Sequence, residues 1–122
     1  VLIEKTPYYR AIVMKVINIA KDFSPFPAGR YVDEGPFSGE AFRNEHLMPA
    51  LASGEDVKII FDGGFGYGSS FLEESFGGLI RTGLFKDQDI LKRFKFVSEE
   101  DPFLVSEIES YINDAMLEAK DA

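Results

Sequence analysis

The apolar positions change period several times along the chain, and each change predicts an element. Residues 11–20, Ala-Ile-Val-Met-Lys-Val-Ile-Asn-Ile-Ala, are rich in β-branched side chains and almost continuously apolar, which suits a strand covered on both faces at the centre of a sheet. Pro25, Pro27 and Gly29 then turn the chain, and Arg30-Tyr31-Val32 reads as a short antiparallel return strand, so a hairpin opens the domain. Ser38-Gly39-Glu40 offers a hydroxyl cap and a first-turn acid, predicting a helix over about 39–52 that Pro49 kinks or breaks near Met48 and Gly54 closes. Residues 56–61 form the next strand, ending at Asp62.

Leu72, Phe76, Leu79 and Ile80 fall at i, i+4, i+7 and i+8, one buried stripe of a helix over 71–82. Ser70 and Glu73 have the spacing of a capping box, and Gly83 supplies the left-handed residue that ends the helix. Residues 92–98 alternate, with Phe94 and Phe96 on one face and Arg93 and Lys95 on the other, as a half-exposed strand does. Asp101-Pro102 opens a last helix, whose stripe of Leu104, Ile108, Tyr111, Ile112, Ala115 and Ala119 runs to about residue 119. The order strand, strand, helix, strand, helix, strand, helix predicts an α/β fold: a small mixed β-sheet with parallel crossovers, packed by helices. The 122 residues suffice for one core, so a single domain over 1–122 is expected.

Composition narrows the chemistry. The formal charge of −8 disfavours a surface that collects nucleic-acid phosphates or anionic lipid. No apolar run approaches the roughly 20 residues of a membrane span, and no Cys is available for a disulfide, thiolate metal site or thiol nucleophile. The start of the chain lacks the basic flank and apolar stretch of a signal peptide, so a cytoplasmic location is expected. The charge is uneven: residues 1–98 carry 13 acidic and 12 basic groups, and residues 99–122 carry eight acidic and one basic, so −7 of the −8 lies at the end. That end is either a solvated acidic helix or a docking face for a basic partner.

The richest stretch for function follows Asp62, where Gly63, Gly64, Gly66 and Gly68 lead through Ser69 and Ser70 into a helix at the carboxyl end of a strand. Three readings fit it. Glycines and free helix-start amides can cradle a phosphate, although Ser69 stands where a dinucleotide fingerprint needs its third glycine and no Walker lysine follows. A phosphate carried by Ser69 or Ser70 would be favoured by the helix dipole and opposed by Glu73 and Glu74, a conflict that can act as a switch. Ser70 can also simply cap the helix.

Gly77-Gly78 inside that helix costs on the order of 1 kcal/mol per residue relative to Ala, so close packing on the sheet or close approach of a partner must offset it. His46, the only histidine, reads as an ordinary boundary imidazole rather than a ligand or base. Asp62 and Glu74 are the one candidate carboxylate pair, with nothing to fix their separation. Phe23, Phe26, Phe37, Phe65 and Tyr67 fall in loops and can make an exposed apolar contact surface. No constellation argues for an enzyme, a metal or a cofactor.

Three blocks, Phe23 to Arg30, Ser38-Gly39-Glu40-Ala41-Phe42-Arg43, and Asp62 through Ser69-Ser70-Phe71-Leu72-Glu73-Glu74-Ser75-Phe76-Gly77, resemble the STAS-like domain of unknown function of bacteria, a relative of the STAS domains of anti-sigma factor antagonists. The resemblance spans about residues 12–98. It implies a small α/β domain that works by protein contact, with the loop before the second helix as the regulated surface. In the antagonists a serine of that loop is phosphorylated by a partner ATPase of the histidine-kinase type, and Ser69 and Ser70 are the matching positions. Gly68 stands in place of the Asp before the serines and Phe71 in place of the Gly after them. The expectation is therefore a non-enzymatic interaction module docking through Asp62, Gly64, Gly66, Tyr67, Gly68, Phe71 and Glu74, with a small nucleotide- or phosphate-binding protein using loop 63–70 as the alternative.

Overall fold

The computed structural model describes residues 14–85 and 88–121. Its sheet has three strands, β1 (Met14–Asn18), β2 (Asp56–Ile60) and β3 (Phe94–Val97), in the order β1-β2-β3, and both pairings are parallel. Ile17 lies opposite Ile59, and Ile59 opposite Phe96, so apolar positions run across one face of the sheet. Helix α1 covers residues 39–52, α2 residues 69–81 and α3 Leu104–Asp121. Consecutive strands are neighbours, so crossovers of one hand put α1 and α2 on the same face. Val57, Ile59 and Phe61 are buried there, whereas Asp56, Lys58 and Ile60 remain half-exposed on the other. Phe42, Leu47, Phe71, Leu72, Phe76, Ile108 and Ile112 complete a single core between that face and the helices.

The sheet is wholly parallel among the described residues, not mixed, because the expected return strand is absent. Residues 30 and 31 form a bend that leads into a 3-10 turn at Val32–Glu34. Their backbone is spent elsewhere: the Arg30 carbonyl accepts from the Glu40 amide, and the Val32 amide donates to the Glu40 carboxylate. Among the described residues β2 is the central strand and β1 pairs with β2 alone, with Val16 55% exposed. Residues 11–13 of the expected first strand lie outside the described residues.

Helix α1 does not break at Pro49. Its turn Arg43–Leu47 widens to a π-turn, in which the Met48 amide donates to the Arg43 carbonyl, and Met48 keeps helical angles of −64° and −46°. The widened turn relieves the crowding that a proline ring imposes on the turn before it. Ser38 caps α1 as expected, accepting from the Ala41 amide at 3.1 Å. Gly54 and Gly83, at φ of 84° and 75°, sit in the left-handed conformation just beyond α1 and α2. Helix α3 starts at Leu104, two residues after Pro102, and Ala119 is exposed rather than part of its buried stripe.

Candidate functional site

The chain leaves β2 at Asp62, and the fold uses that carboxylate at once. Its two oxygens accept from the amides of Glu99 and Glu100 at 3.0 and 2.9 Å, tying the loop to the turn before α3. Glu100 returns the contact, accepting from the Gly63 amide at 2.5 Å, and the Phe65 amide donates to the Pro25 carbonyl at 3.0 Å. Gly63 and Gly66 need the left-handed region at φ of 93° and 110°. A Cβ on Gly64 would stand 3.3 Å from the Pro25 carbonyl oxygen. The glycines thus shape the loop and let it approach residue 25, and two of its amides already have partners inside the protein.

Tyr67 reaches back across the loop, its hydroxyl donating to the Phe61 carbonyl at 2.7 Å. Burial, assisted by the charges of Asp62 and Glu100, pushes its ionisation up to about 12. Gly68 occupies the N-cap position of α2, and Ser69 and Ser70 are its first two residues, both exposed. The expected Ser70–Glu73 capping box is not formed, because Ser70 lies inside the helix. Phe71 is 1% exposed and belongs to the core, and Glu74 is 6% exposed, so neither presents a docking face. Asp62 and Glu74 serve separate networks and are no catalytic pair.

The loop aromatics divide in two. Phe23 packs inward against Phe42, Phe71 and His46, which makes His46 the boundary imidazole expected. Phe26 and Phe65 stack face to face at 4.4 Å and stay 63% and 77% exposed. Nearby, at the carboxyl ends of β1 and β2, Asn18, Lys21, Pro25, Ile60, Asp62 and Gly63 line an open cavity of about 420 Å³.

A charged cluster that the sequence did not announce lies one turn further along α2. Glu73 accepts from Arg81 at 2.7 and 2.9 Å and from Arg30 at 2.5 Å. Glu74 pairs with Arg43, and receives Arg81 at 3.1 Å and Arg30 at 3.4 Å. The Arg81 and Arg30 guanidinium groups hold the Glu73 carboxyl below its ordinary range, and Glu73 raises both of theirs.

This cluster explains Gly77-Gly78. A Cβ on Gly78 would stand 2.6 Å from Arg43 Nη1 and 2.7 Å from Glu74 Oε2, and one on Gly77 would collide with the Glu73 carboxylate. The two glycines make room for ion pairs, since what a Cβ at either would meet is side-chain ends of the cluster rather than the sheet. Gly39 instead lets α1 approach the backbone of α2, since a Cβ there would lie 2.5 Å from the Phe71 carbonyl oxygen. The glycine pair was the only signal in the sequence for this cluster.

Among the described residues no group of three His, Asp or Glu side chains is placed to hold a metal ion, and no helix is long and apolar enough to cross a membrane. A small parallel sheet packed by helices, with a glycine-rich loop leading from its central strand to exposed serines, defines a STAS-like α/β domain. The family profile agrees: the chain belongs to the STAS-like domain of unknown function (DUF4325), which matches residues 38–103. That match takes in the second and third of the blocks identified in the sequence and the whole of α1 and α2, while β1, residues 23–30 and all of α3 lie outside it. No curated protein and no solved structure matches the chain.

Proposed function

We propose that this domain is a non-enzymatic regulatory module that docks on a partner protein through the surface of loop 63–70 and Phe26. The observation that carries the proposal is the stacked Phe26–Phe65 pair, two large aromatic side chains left in water beside the exposed serines of the same loop. Exposed aromatic pairs of this kind supply the anchors of protein interfaces. Phosphorylation of Ser69 or Ser70 by a partner ATPase of the histidine-kinase type then acts as the switch, placing up to two negative charges next to the anchor. The family membership supports a regulatory role, and Glu73 and Glu74 one turn away make the added charge costly to accommodate.

The test is binding to a partner recovered with the wild-type protein from its own cells. Ser69→Asp with Ser70→Asp, and separately Phe65→Ser, should each abolish recovery while the far-UV spectrum is unchanged. Retention of the partner by both variants overturns the proposal.

The cavity at the carboxyl ends of β1 and β2 favours a second reading, a small nucleotide- or phosphate-bearing ligand. Against it, Glu100 already occupies the Gly63 amide that such a phosphate would need. A thermal-shift screen decides, because a ligand at 100 times its Kd stabilises by about 2.7 kcal/mol. No shift with any nucleotide at millimolar concentration removes this reading.

A further inference from the structure

Beside the stacked aromatic pair, the carboxyl ends of β1 and β2 join an open cavity to acids drawn from distant parts of the chain. The cavity, of about 420 Å³, has an apolar side made by Ala20, Pro25 and Ile60 and a polar side made by Asn18, Lys21 and Asp62. It adjoins the pair through the chain itself, since Pro25 precedes Phe26 and the Pro25 carbonyl accepts from the Phe65 amide. Concave sites next to exposed aromatic side chains are where protein interfaces seat their anchors.

The charge tied to this cavity is one-sided. Asp22 accepts from the Asn18 amide at 2.7 Å, Asp62 holds the amides of Glu99 and Glu100, and the Glu100 carboxylate sits on the Gly63 amide. Against these four acids stands one cation in the lining, Lys21, which is exposed. Among the described residues none of the four acids pairs with a Lys or Arg side chain. The negative field also reaches Tyr67, whose ionisation Asp62 and Glu100 both push upward after burial has done so.

We infer that the partner docks with a basic segment and seats one of its arginines in this cavity. The inference rests on the docking surface proposed above and supplies the chemistry of its partner. An apolar wall with acids around it matches a side chain that has an apolar stem and a charged head: the stem lies along Ala20, Pro25 and Ile60, and the head stays among the carboxylates. Those carboxylates require the head to be a cation, because an acidic side chain or a phosphate would meet like charges. Arginine suits the place better than lysine. Its guanidinium is more weakly hydrated than an ammonium, pairs with carboxylates through a planar fork, and stacks on an aromatic face such as that of Phe65, which is 77% exposed.

Random peptides displayed on phage, selected on the wild-type chain and counter-selected on the Phe65→Ser chain, supply the probe; the counter-selection removes peptides drawn only to the acidic residues of α3. The surviving peptides should share an arginine beside apolar residues. Replacing that arginine by citrulline, its neutral isostere, should weaken binding by about tenfold or more, and raising the ionic strength should weaken it as well. Glu99→Gln should weaken the arginine peptide about threefold, and Lys21→Gln should strengthen it by a similar factor. Survivors whose shared residues are neutral or acidic overturn the inference and leave the docking surface in place. So do an undiminished affinity of the citrulline peptide, and effects of Glu99→Gln and Lys21→Gln that are absent or reversed in sign. A selection in which no peptide distinguishes the wild-type chain from Phe65→Ser overturns the docking surface itself, and the inference with it.

Discussion

Gly78→Ala is the substitution in which the ion-pair cluster and ordinary helix energetics give opposite signs. At an unremarkable helical position, replacing Gly by Ala stabilises by about 1 kcal/mol. Here the new methyl group would lie 2.6 and 2.7 Å from the Arg43 and Glu74 side-chain ends, well inside contact distance. Both ends belong to flexible side chains, which would make the collision cheap if they were free. They are not: Arg43 and Glu74 are paired with side chains only 12% and 9% exposed.

Breaking a buried pair costs about 3–5 kcal/mol when one partner is removed. Displacement within a cluster that retains other arginines falls at the low end of that range. Subtracting the helical gain leaves a net loss of about 2 kcal/mol, which at an m-value of about 1.5 kcal/mol per molar lowers the urea midpoint by a little over 1 M. The chain has no Trp, so far-UV circular dichroism is the natural probe. In a Glu74→Ala background the space is empty and Arg43 is free to swing outward, so the same substitution should now stabilise by up to about 1 kcal/mol. Stabilisation of the wild-type protein by Gly78→Ala, or an undiminished loss in the Glu74→Ala background, would refute the reasoning.

Three further outcomes follow from the same contacts. Tyr67 ionises near 10 when unfolded and at about 12 when folded, so its contribution is complete below pH 10 and is lost as pH rises toward 12; Tyr67→Phe should remove that share of the alkaline destabilisation, measured by denaturant midpoints at pH 9 to 12. Asp62→Ala, which frees the amides of Glu99 and Glu100, should cost about 1–3 kcal/mol by urea unfolding and should speed hydrogen exchange at those two amides. Phe65→Ser should change stability by less than about 1 kcal/mol, whereas Phe71→Ala, in the core, should cost about 3–5 kcal/mol, a contrast that chemical denaturation of both variants checks.

The parts of this fold legible in the sequence are those set by local period and capping. Ser38, Gly54 and Gly83 mark real helix boundaries, and the stripe of Leu72, Phe76, Leu79 and Ile80 is buried as its spacing implies. The β-branched run around β1 misled because composition does not report how many neighbours a strand has. Ile17 and Ile19 face the core, while Val16 is exposed and β1, among the described residues, pairs with β2 alone. Arg30-Tyr31-Val32 carries strand-forming residues, but three are too few to hold a ladder against the amide and carboxylate of Glu40. At the site, the loop and its serines could be read directly. The cluster could not, because Arg30 and Arg43 lie 43 and 31 residues from the glutamates they meet.

The acidity of the chain end also takes on a different meaning once the loop is seen. Most of the −8 charge lies from residue 99 onward, which separates it in sequence from the serine loop. In space its first members, Glu99 and Glu100, are joined to that loop, through Asp62 in one direction and the Gly63 amide in the other. A carboxylate on a glycine amide occupies the place that a ligand's phosphate would take in a nucleotide-binding loop. The protein's own acid therefore competes with any such ligand, and the exposed side chains at this end of the sheet include the Phe26–Phe65 pair and the two serines. With the Gly63 and Phe65 amides turned inward and the aromatic pair and hydroxyls turned outward, the loop supports the protein-contact surface proposed above better than a phosphate cradle.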